Sequence, residues 1–374
     1  MCIISLSKDV PAGNLHVRGI EGHRVLVSTE LRDTGEYWFY WRCRATFPEA
    51  GTWTFEFDNP AVGTRGPAVS HDGGATWRWL SGDALHEDRQ IFSYTATGPE
   101  TVDFCQCIPY IQTNLEAFLA ARRDDSRLSC ETLCSSRKGR PVELVRLRAG
   151  TPEKCILLTS RHHAQEAMAC YAAEGIFDAF RFDADWAQAF LAKYEVLWVP
   201  FTDKDGVEDG DQGKRRLPHD HGRDYARPDG SHLYPETAAI ERLVLDRRPE
   251  FIFDLHCPWL RGDPTNEHTY LVGINSDEHK RQMYAFAKIL ARHCPDCAPY
   301  REEDTLPYGM YWNTGTNYRD GTTVKRWGAS LPFVRSAQTI EIPFANFREK
   351  TQTPETIHMF GAGLAAALHE YLMA

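Results

Sequence analysis

The stretch from Cys155 to Phe177 places the strongest constraint on how this chain folds. It opens with an apolar run that is typical of a buried strand, turns polar, and then repeats apolar side chains at helical spacing. The pattern predicts a strand that leads into a helix beginning at Ala164. His163 and Glu166 would lie at this junction, and positions three apart on a helix share one face. An imidazole and a carboxylate placed in this way can bind one cation. An ordinary polar helix start with an acidic residue near its N-terminus gives the same pattern.

The composition fits a soluble globular protein of about two domains, since 42% of its 374 residues are apolar and 25% are charged. A net charge of −10 without a long basic run argues against nucleic acid or an anionic membrane surface as a partner. No apolar stretch reaches the roughly 20 residues of a membrane helix, and the N-terminus has no apolar core of a secretion signal. We therefore expect a cytoplasmic protein whose cysteines are free thiols, although Cys294 and Cys297 have redox or metal spacing.

Residues 1–112 are predicted to form an all-β sandwich. The segment 37–44 is rich in β-forming residues, and residues 52–58 alternate between apolar and polar side chains, as in a half-buried strand. Turn-forming residues at 58–60 and 71–74 separate such segments. Several short strands with these turns favour two packed sheets.

Residues 113–374 alternate between strand and helix patterns, which predicts an α/β domain with a mixed sheet. A first helix is predicted around Asn114, which we interpret as its cap. The predicted strands are 141–147, 153–160, 195–200, 251–256, 270–273 and 339–342, and the later predicted helices are 235–246, 277–293 and 353–373.

Two further features of this half indicate a site. The strand 251–255 delivers His256 at its carboxyl end, the edge at which open α/β sheets bind ligands. The loop 202–225 is long, glycine-rich and dense in His, Arg and Asp, and long loops in compact domains are usually functional. A catalytic zinc site takes three nitrogen or oxygen ligands from the protein and keeps one position for water.

Five motifs occur in one order along the chain: Arg161-x-His163-x-x-Glu166, Asp205-Gly206-Val207, Asp220-His221-Gly222-Arg223, Asp254-Leu255-His256 and Thr339-Ile340-Glu341-Ile342-Pro343. Together they resemble the zinc metallocarboxypeptidases of the carboxypeptidase A family. The branch resembled is the cytosolic carboxypeptidase-like one, in which a β-sandwich precedes a phosphorylase/hydrolase-like catalytic domain. Segments 65–70 and 107–110 are similar to the sandwich of that branch and its exit.

The resemblance implies a metal centre and a base. His163, Glu166 and His256 would bind one Zn²⁺ per chain, and Asp220 would hold His163 in the required tautomer. Glu341 would take a proton from the attacking water and pass it to the leaving amine.

The resemblance also implies groups that bind the substrate. Arg223 would bind its terminal carboxylate, because a guanidinium matches a carboxylate with two hydrogen bonds. An arginine would steady the oxyanion, and here Arg216 is preferred to Arg215. Tyr318 would be the mobile active-site tyrosine, with Tyr311 as the alternative.

The segment that lines the side-chain pocket of the family, residues 320–336 here, contains Lys325, Arg326 and Arg335, and at least one of Lys325 and Arg326 falls near the position that sets specificity. A cation in a partly dry pocket would favour an acidic C-terminal side chain. The peptide bond after the third ligand, Cys257–Pro258, is expected to be cis. Gly222 stands where the family has Asn, so the chain lacks one amide donor for the substrate carboxylate.

The sequence thus predicts a zinc-dependent metallocarboxypeptidase that acts on a peptide substrate. A zinc-dependent deacylase of N-acyl amino acids is an alternative, because those relatives use a similar zinc triad. A peptide-binding pseudoenzyme is a second alternative, for which the missing Asn at Gly222 is the supporting observation.

Overall fold

The computed structural model describes residues 3–80, 84–85, 90–182, 184–260, 265–318 and 321–374, without the side chains of Thr265 and Tyr318. Two sheets form the N-terminal part, in the orders β1-β4-β9-β6-β7 and β2-β3-β5-β8. Their strands are β1 (Ser5–Ser7), β2 (His16–Glu21), β3 (Arg24–Ser28), β4 (Arg42–Phe47), β5 (Gly51–Phe57), β6 (Ala68–Ser70), β7 (Arg78–Trp79), β8 (Ile91–Ala96) and β9 (Glu100–Cys105). This is the predicted all-β sandwich.

Aromatic side chains fill the space between the two sheets. On β5 the residues Trp53, Phe55 and Phe57 are buried while their neighbours are less so, as the alternation of the sequence predicts. Phe55 packs against Phe104 on β9 of the other sheet, with ring centroids 5.5 Å apart. The segment 37–41, predicted as part of a strand, is instead irregular, and β4 begins only at Arg42.

The C-terminal part alternates strands and helices around one seven-stranded sheet. Its elements are α1 (Gln112–Ala120), β10 (Leu128–Ser135), β11 (Pro141–Leu147), β12 (Lys154–Ser160), α2 (Met168–Arg181), α3 (Asp185–Lys193), β13 (Tyr194–Val199), α4 (Lys204–Asp209), α5 (Pro235–Arg247), β14 (Phe251–His256), β15 (Tyr270–Val272), α6 (Asp277–His293), α7 (Val324–Gly328), β16 (Ser336–Glu341), β17 (Asn346–Phe347), β18 (Lys350–Thr351) and α8 (Pro354–Met373).

The order in this sheet is β10-β11-β13-β12-β14-β16-β15, and the strands β13, β12, β14 and β16 are parallel. The flanking pairs are antiparallel, so the predicted mixed α/β sheet is confirmed. Every residue of β14 and β16 is buried, which is typical of parallel strands covered on both faces. Because β12, β14 and β16 are parallel neighbours, their carboxyl ends meet at one edge of the sheet.

Helices α2 and α8 pack closely on one face of the sheet. A Cβ atom at Gly175 of α2 would lie 2.2 Å from the carbonyl oxygen of His358, and one at Gly361 of α8 would lie 2.2 Å from that of Ala172. The two glycines therefore let the helix backbones approach each other. None of the helices in the described ranges combines the length and the apolar composition that crossing a bilayer requires.

Three local expectations need correction. Helix α2 begins at Met168 rather than Ala164, because residues 161–167 form an irregular turn in which the Glu166 amide donates to His163 O at 3.2 Å. Helix α1 begins after Ile111, and Asn114 accepts from the Ile111 amide through Oδ1 instead of capping the helix itself.

The third correction concerns proline geometry. Among the described peptide bonds the cis one is Leu217–Pro218, so the expectation for Cys257–Pro258 is wrong. The cysteines of the described residues, among them Cys294 and Cys297, are free thiols.

Candidate active site

Two imidazoles and one carboxylate converge where β12 and β14 end. His163 and Glu166 lie in the turn after β12, and His256 is the last residue of β14. Since Ser160 pairs with Leu255 in the parallel register, the two strand ends lie side by side. Glu166 Oε1 lies 2.7 Å from His163 Nδ1, and Glu166 Oε2 lies 2.7 Å from His256 Nδ1. The three side chains are only 2–7% exposed.

The other nitrogen of each imidazole lies beside a second carboxylate. His163 Nε2 is 3.3 Å from Asp220 Oδ1, and His256 Nε2 is 2.9 Å from Asp254 Oδ2. Burial alone would raise the pKa of Glu166, but the two imidazoles outweigh it and hold that pKa below its ordinary value. Each ring thus turns its Nδ1 toward Glu166 and its Nε2 toward a second carboxylate, an arrangement typical of histidine metal ligands.

The donor set fits zinc, because two imidazole nitrogens and one carboxylate oxygen lie within 4.8 Å of one another. A second set, His162, Asp254 and His256, satisfies the same distance. In that set the His162 ring is already engaged on both sides, by Asp254 Oδ1 at 2.9 Å and by the Tyr225 hydroxyl at 2.6 Å. His163, Glu166 and His256 all line the cavity at this edge of the sheet and His162 does not, so the geometry favours the set that includes Glu166.

Glu341 ends β16 and lies directly opposite His256 in the parallel register. Its side chain is buried, and its Oε2 atom has no hydrogen-bond partner among the described residues. Burial raises the pKa of this carboxyl. An unsatisfied, buried carboxylate is costly unless a ligand completes its bonding, so Glu341 has the environment of a proton-transfer group rather than of a structural residue.

These groups lie in a single cavity of about 480 Å³ at the carboxyl edge of the sheet. The sandwich contributes Trp38 to its wall, and the segment after β14 contributes Trp259. The two indole rings pack against each other with centroids 4.8 Å apart. Further polar side chains in the wall are Lys214, Arg223, Asn317 and Lys325.

The sequence profile described as zinc carboxypeptidase matches residues 115–244, a range that contains His163, Glu166 and Arg223. These residues of the C-terminal part are therefore similar to zinc carboxypeptidases. Cytosolic carboxypeptidase 6 of Caenorhabditis elegans is 26% identical over 348 residues, which cover 85% of this chain and 73% of the nematode protein. Cytosolic carboxypeptidase 2 of Xenopus tropicalis is 25% identical over 232 residues, which cover 56% of this chain but 24% of the frog protein.

Two solved bacterial structures share the fold over both parts of the chain. A metallo-carboxypeptidase from Burkholderia cenocepacia has a TM-score of 0.80 at 18% identity and covers 100% of this chain and 99% of its own. A metallo-carboxypeptidase from Pseudomonas aeruginosa, solved with (2-guanidinoethylmercapto)succinic acid, has a TM-score of 0.80 at 16% identity and covers 99% of each chain. The N-terminal sheets and the C-terminal α/β part therefore occur together in these structures.

Arg223, which the sequence predicts to bind a carboxylate, lines the cavity. Its guanidinium donates to Asn317 O through Nε and to Asn317 Oδ1 through Nη2, both at 3.1 Å. Sequence reasoning missed Asn317, which is distant along the chain. At Gly222 a Cβ atom would lie 3.0 Å from Asp220 Oδ1 and 3.2 Å from His163 Nε2, so this position is crowded by the ligand and its partner.

The two candidate specificity residues separate in the structure. Lys325 is 2% exposed, lines the cavity and donates from Nζ to the carbonyl oxygen of Val272 at 2.7 Å. Burial lowers the pKa of Lys325 to about 7. Arg326 is exposed and is not part of the cavity wall, because consecutive residues of α7 point in different directions.

Arg216, predicted to steady the oxyanion, is turned away from the cavity. Its Nη2 atom donates to Asp203 Oδ2 at 2.7 Å and to Asp211 Oδ2 at 2.9 Å. Arg215 lies at the rim and forms an ion pair with Glu36 of the sandwich. Lys214, for which the sequence analysis predicted no role, also lines the cavity.

Tyr318 and Tyr311 are the two candidates for the mobile active-site tyrosine. Tyr318 ends a short 3₁₀ helix, Gly315–Tyr318, and its side chain lies outside the described residues. Tyr311 is part of the cavity wall, 65% exposed, with φ at 47°. Of the two, Tyr311 is therefore the tyrosine that the described structure brings to the site.

Proposed function

We propose that this chain is a zinc-dependent carboxypeptidase that hydrolyses the C-terminal amide bond of a peptide. The supporting observation is the convergence of His163 Nδ1 and His256 Nδ1 on Glu166, with Glu341 on the adjacent strand end. The curated relatives are named cytosolic carboxypeptidases, and we propose a cytoplasmic location for this chain as well.

His163, Glu166 and His256 would hold zinc, one ion per chain. When zinc is bound at such a site it lowers the pKa of a bound water toward about 7 and polarises a carbonyl oxygen. Asp220 and Asp254 would keep the two imidazoles in the tautomer that leaves Nδ1 available, since each carboxylate lies beside the Nε2 atom of one ring.

Glu341 would move the proton during hydrolysis. Its carboxylate would accept a proton from the attacking water and then donate it to the leaving amine nitrogen. The raised pKa of Glu341 suits both steps, because a more basic carboxylate takes the proton more readily and still releases it to an amine. Its position at the end of a central parallel strand would hold it still.

Arg223 and Asn317 would bind the terminal carboxylate of the peptide. Asn317 Oδ1 already accepts from Arg223, which leaves the amide N–H groups of Asn317 as donors. We infer that Asn317 supplies the amide that the family has at the position of Gly222. A tyrosine, Tyr311 or Tyr318, would close over the bound substrate from the same polar stretch.

Lys325 would favour an acidic side chain on the last residue of the substrate. The residue is buried at the cavity wall, and its ammonium donates to the neutral carbonyl of Val272 rather than to a carboxylate. A substrate carboxylate would therefore supply the counter-charge, in a charge-assisted hydrogen bond of about 1.5–3 kcal/mol. Arg326 does not line the cavity, so it would not contribute to this specificity.

A peptide library incubated with the protein and followed by mass spectrometry tests this function. We expect loss of single C-terminal residues, Glu and Asp first, and no loss in the presence of a chelator. Turnover of N-acyl amino acids without turnover of peptides would instead support the deacylase. Zinc binding with neither activity would support the pseudoenzyme. The observation behind that alternative is Gly222, which stands where the family has Asn.

A further inference from the structure

The loop 210–217 carries three consecutive cations past the mouth of the cavity, and the sandwich holds this loop in place. Asp33 of the sandwich accepts from the amide of Gln212 at 3.0 Å and from the amide of Gly213 at 2.8 Å. The Gln212 side chain in turn bonds the amide and the carbonyl of Tyr40, at 2.8 and 2.9 Å. These bonds cross between the two parts of the molecule and are buried, so the backbone of the loop is fixed before any substrate arrives.

Gly213 brings this loop against the turn that carries the first zinc ligand. Its φ is +76°, in the left-handed region, and a Cβ atom would lie 2.0 Å from the backbone nitrogen of Ala164. Only glycine fits this contact. The close approach places the next residue, Lys214, beside His163, with Nζ 3.4 Å from Nδ1.

The three cations of the loop differ in what neutralises them. Arg216 is paired with Asp203 and Asp211, and Arg215 is paired with Glu36 at the surface. Within the described ranges, no ion pair includes Lys214. Its ammonium instead lines the cavity beside the His163 ring.

We propose that Lys214 is the cation that stabilises the oxyanion of the hydrolytic transition state, and that Asp33 positions it from the sandwich domain. The proposal rests on the proposed carboxypeptidase function. Arg216 cannot take the role without leaving its buried aspartates, and breaking a buried ion pair is strongly unfavourable. The ammonium of Lys214 would give up only its contact with His163 Nδ1, the atom that zinc would take.

In the hydrolytic step, the attacking water forms a bond to the carbonyl carbon and Glu341 takes one of the protons of that water. The π electron pair of the carbonyl moves onto oxygen. Lys214 Nζ donates a hydrogen bond to that oxygen. When the C–N bond breaks, the pair returns to form the carboxyl product, and the amine leaves with the proton from Glu341. A preorganised donor aimed at the developing charge is commonly the largest electrostatic term in such reactions.

The test compares Lys214→Met, which keeps the length of the side chain without its charge, with Lys214→Arg. Lys288→Met, an exposed position on α6, is the matched surface control. Removing one oxyanion donor typically lowers kcat by about 10²–10³-fold, and we expect this for Lys214→Met with KM within a few-fold of the unchanged protein. Zinc content should stay at one per chain, and Lys214→Arg should recover most of kcat.

A binding measurement separates this proposal from the proposed function. A phosphinic peptide carries a fixed oxyanion, and calorimetry on the zinc-loaded protein should show weaker binding to the Lys214→Met variant by a factor of about 10² or more. Equal binding by both proteins would overturn the proposal even if the unchanged protein hydrolyses peptides. The same loss in Arg215→Met, with Lys214→Met unaffected, would overturn it in favour of Arg215.

The positioning role of Asp33 needs a readout that a general loss of stability does not move. Asp33→Asn replaces one of the two accepting oxygens by an NH₂ group. This donor would then face the N–H donor of one of the two loop amides, and that hydrogen bond would be lost. In a double-mutant cycle, Asp33→Asn should lower kcat in the unchanged background and add little to Lys214→Met. Full additivity of the two substitutions would show that Asp33 does not act through Lys214.

Discussion

His256 and Glu341 are the last residues of two neighbouring parallel strands and lie opposite each other in the register. Adjacent strands are about 4.8 Å apart, so the backbones of the proposed third ligand and the proposed proton-transfer group are separated by one strand spacing of a buried sheet. The sheet therefore holds these two positions rigidly. The residues proposed to bind the substrate lie outside the sheet, in loops and on α7.

Zinc binding should depend on the set that includes Glu166. His163→Ala removes one of three ligands, and metal analysis of the purified variant should find much less than one zinc per chain. His162→Gln is the matched control, because His162 belongs to the alternative set and is already bonded to Asp254 and Tyr225. Full zinc content in His163→Ala, or loss of zinc in His162→Gln, would contradict this assignment.

Glu341→Gln should retain zinc and lose activity. The amide has nearly the same shape but cannot accept the proton of the water, and loss of such a group costs about 10²–10⁴-fold in kcat. Steady-state kinetics on a peptide substrate, with zinc measured on the same sample, checks this. A kcat within a few-fold of the unchanged protein would show that another residue moves the proton.

Preference for an acidic C-terminal residue should fall as the pH rises through about 7 in the free enzyme, because the pKa of Lys325 is lowered to about 7. The sign follows from the charge, since the ammonium that attracts a carboxylate exists below its pKa and is lost above it. The ratio of kcat/KM for peptides ending in Glu and in Leu, measured from pH 6 to 9, checks this.

The Lys325 assignment has its own substitution test. We expect Lys325→Met to abolish a ten- to hundredfold preference for Glu, the range that corresponds to about 1.5–3 kcal/mol. Arg326→Met, at the exposed neighbouring position, should keep it. An unchanged Glu to Leu ratio in Lys325→Met would rule out the role.

Binding of the substrate carboxylate should require both Arg223 and Asn317. Asn317→Ala removes an acceptor of the guanidinium, so we expect a higher KM with a smaller change in kcat. The matched control is the same peptide with an amidated C-terminus, which should be a poor substrate for the unchanged protein and no poorer for the variant. Equal loss on both peptides would indicate a structural rather than a recognition role.

Gly175→Ala should destabilise the fold at the contact between α2 and α8. The added methyl group would lie 2.2 Å from His358 O, and overpacking of this kind costs about 1–3 kcal/mol. Gly98→Ala is the control, because nothing lies within 4 Å of its Cβ position. Urea unfolding of the two variants measures the difference, and equal midpoints would mean that the helices can separate without cost.

The sequence by itself determined the parts of the site that follow from local pattern. Apolar runs ending in polar residues mark the carboxyl ends of β12 and β14; His256 is the last residue of β14, and His163 and Glu166 follow β12. Parallel strands align their carboxyl ends at one edge, so the strand pattern favours one site for these three residues. The alternation on β5 likewise determined one face of the sandwich. Glu341 came from the resemblance of residues 339–343 to the family motif.

Only the tertiary structure decided which cation of the loop 210–217 faces the cavity. Three consecutive cations look alike in sequence, and the choice depends on Asp33, Asp203 and Asp211, which lie on different elements. The same holds for Asn317, whose contact with Arg223 joins positions 94 residues apart. Residues in loops take their orientation from long-range contacts rather than from periodicity, and such contacts leave no local pattern in the chain.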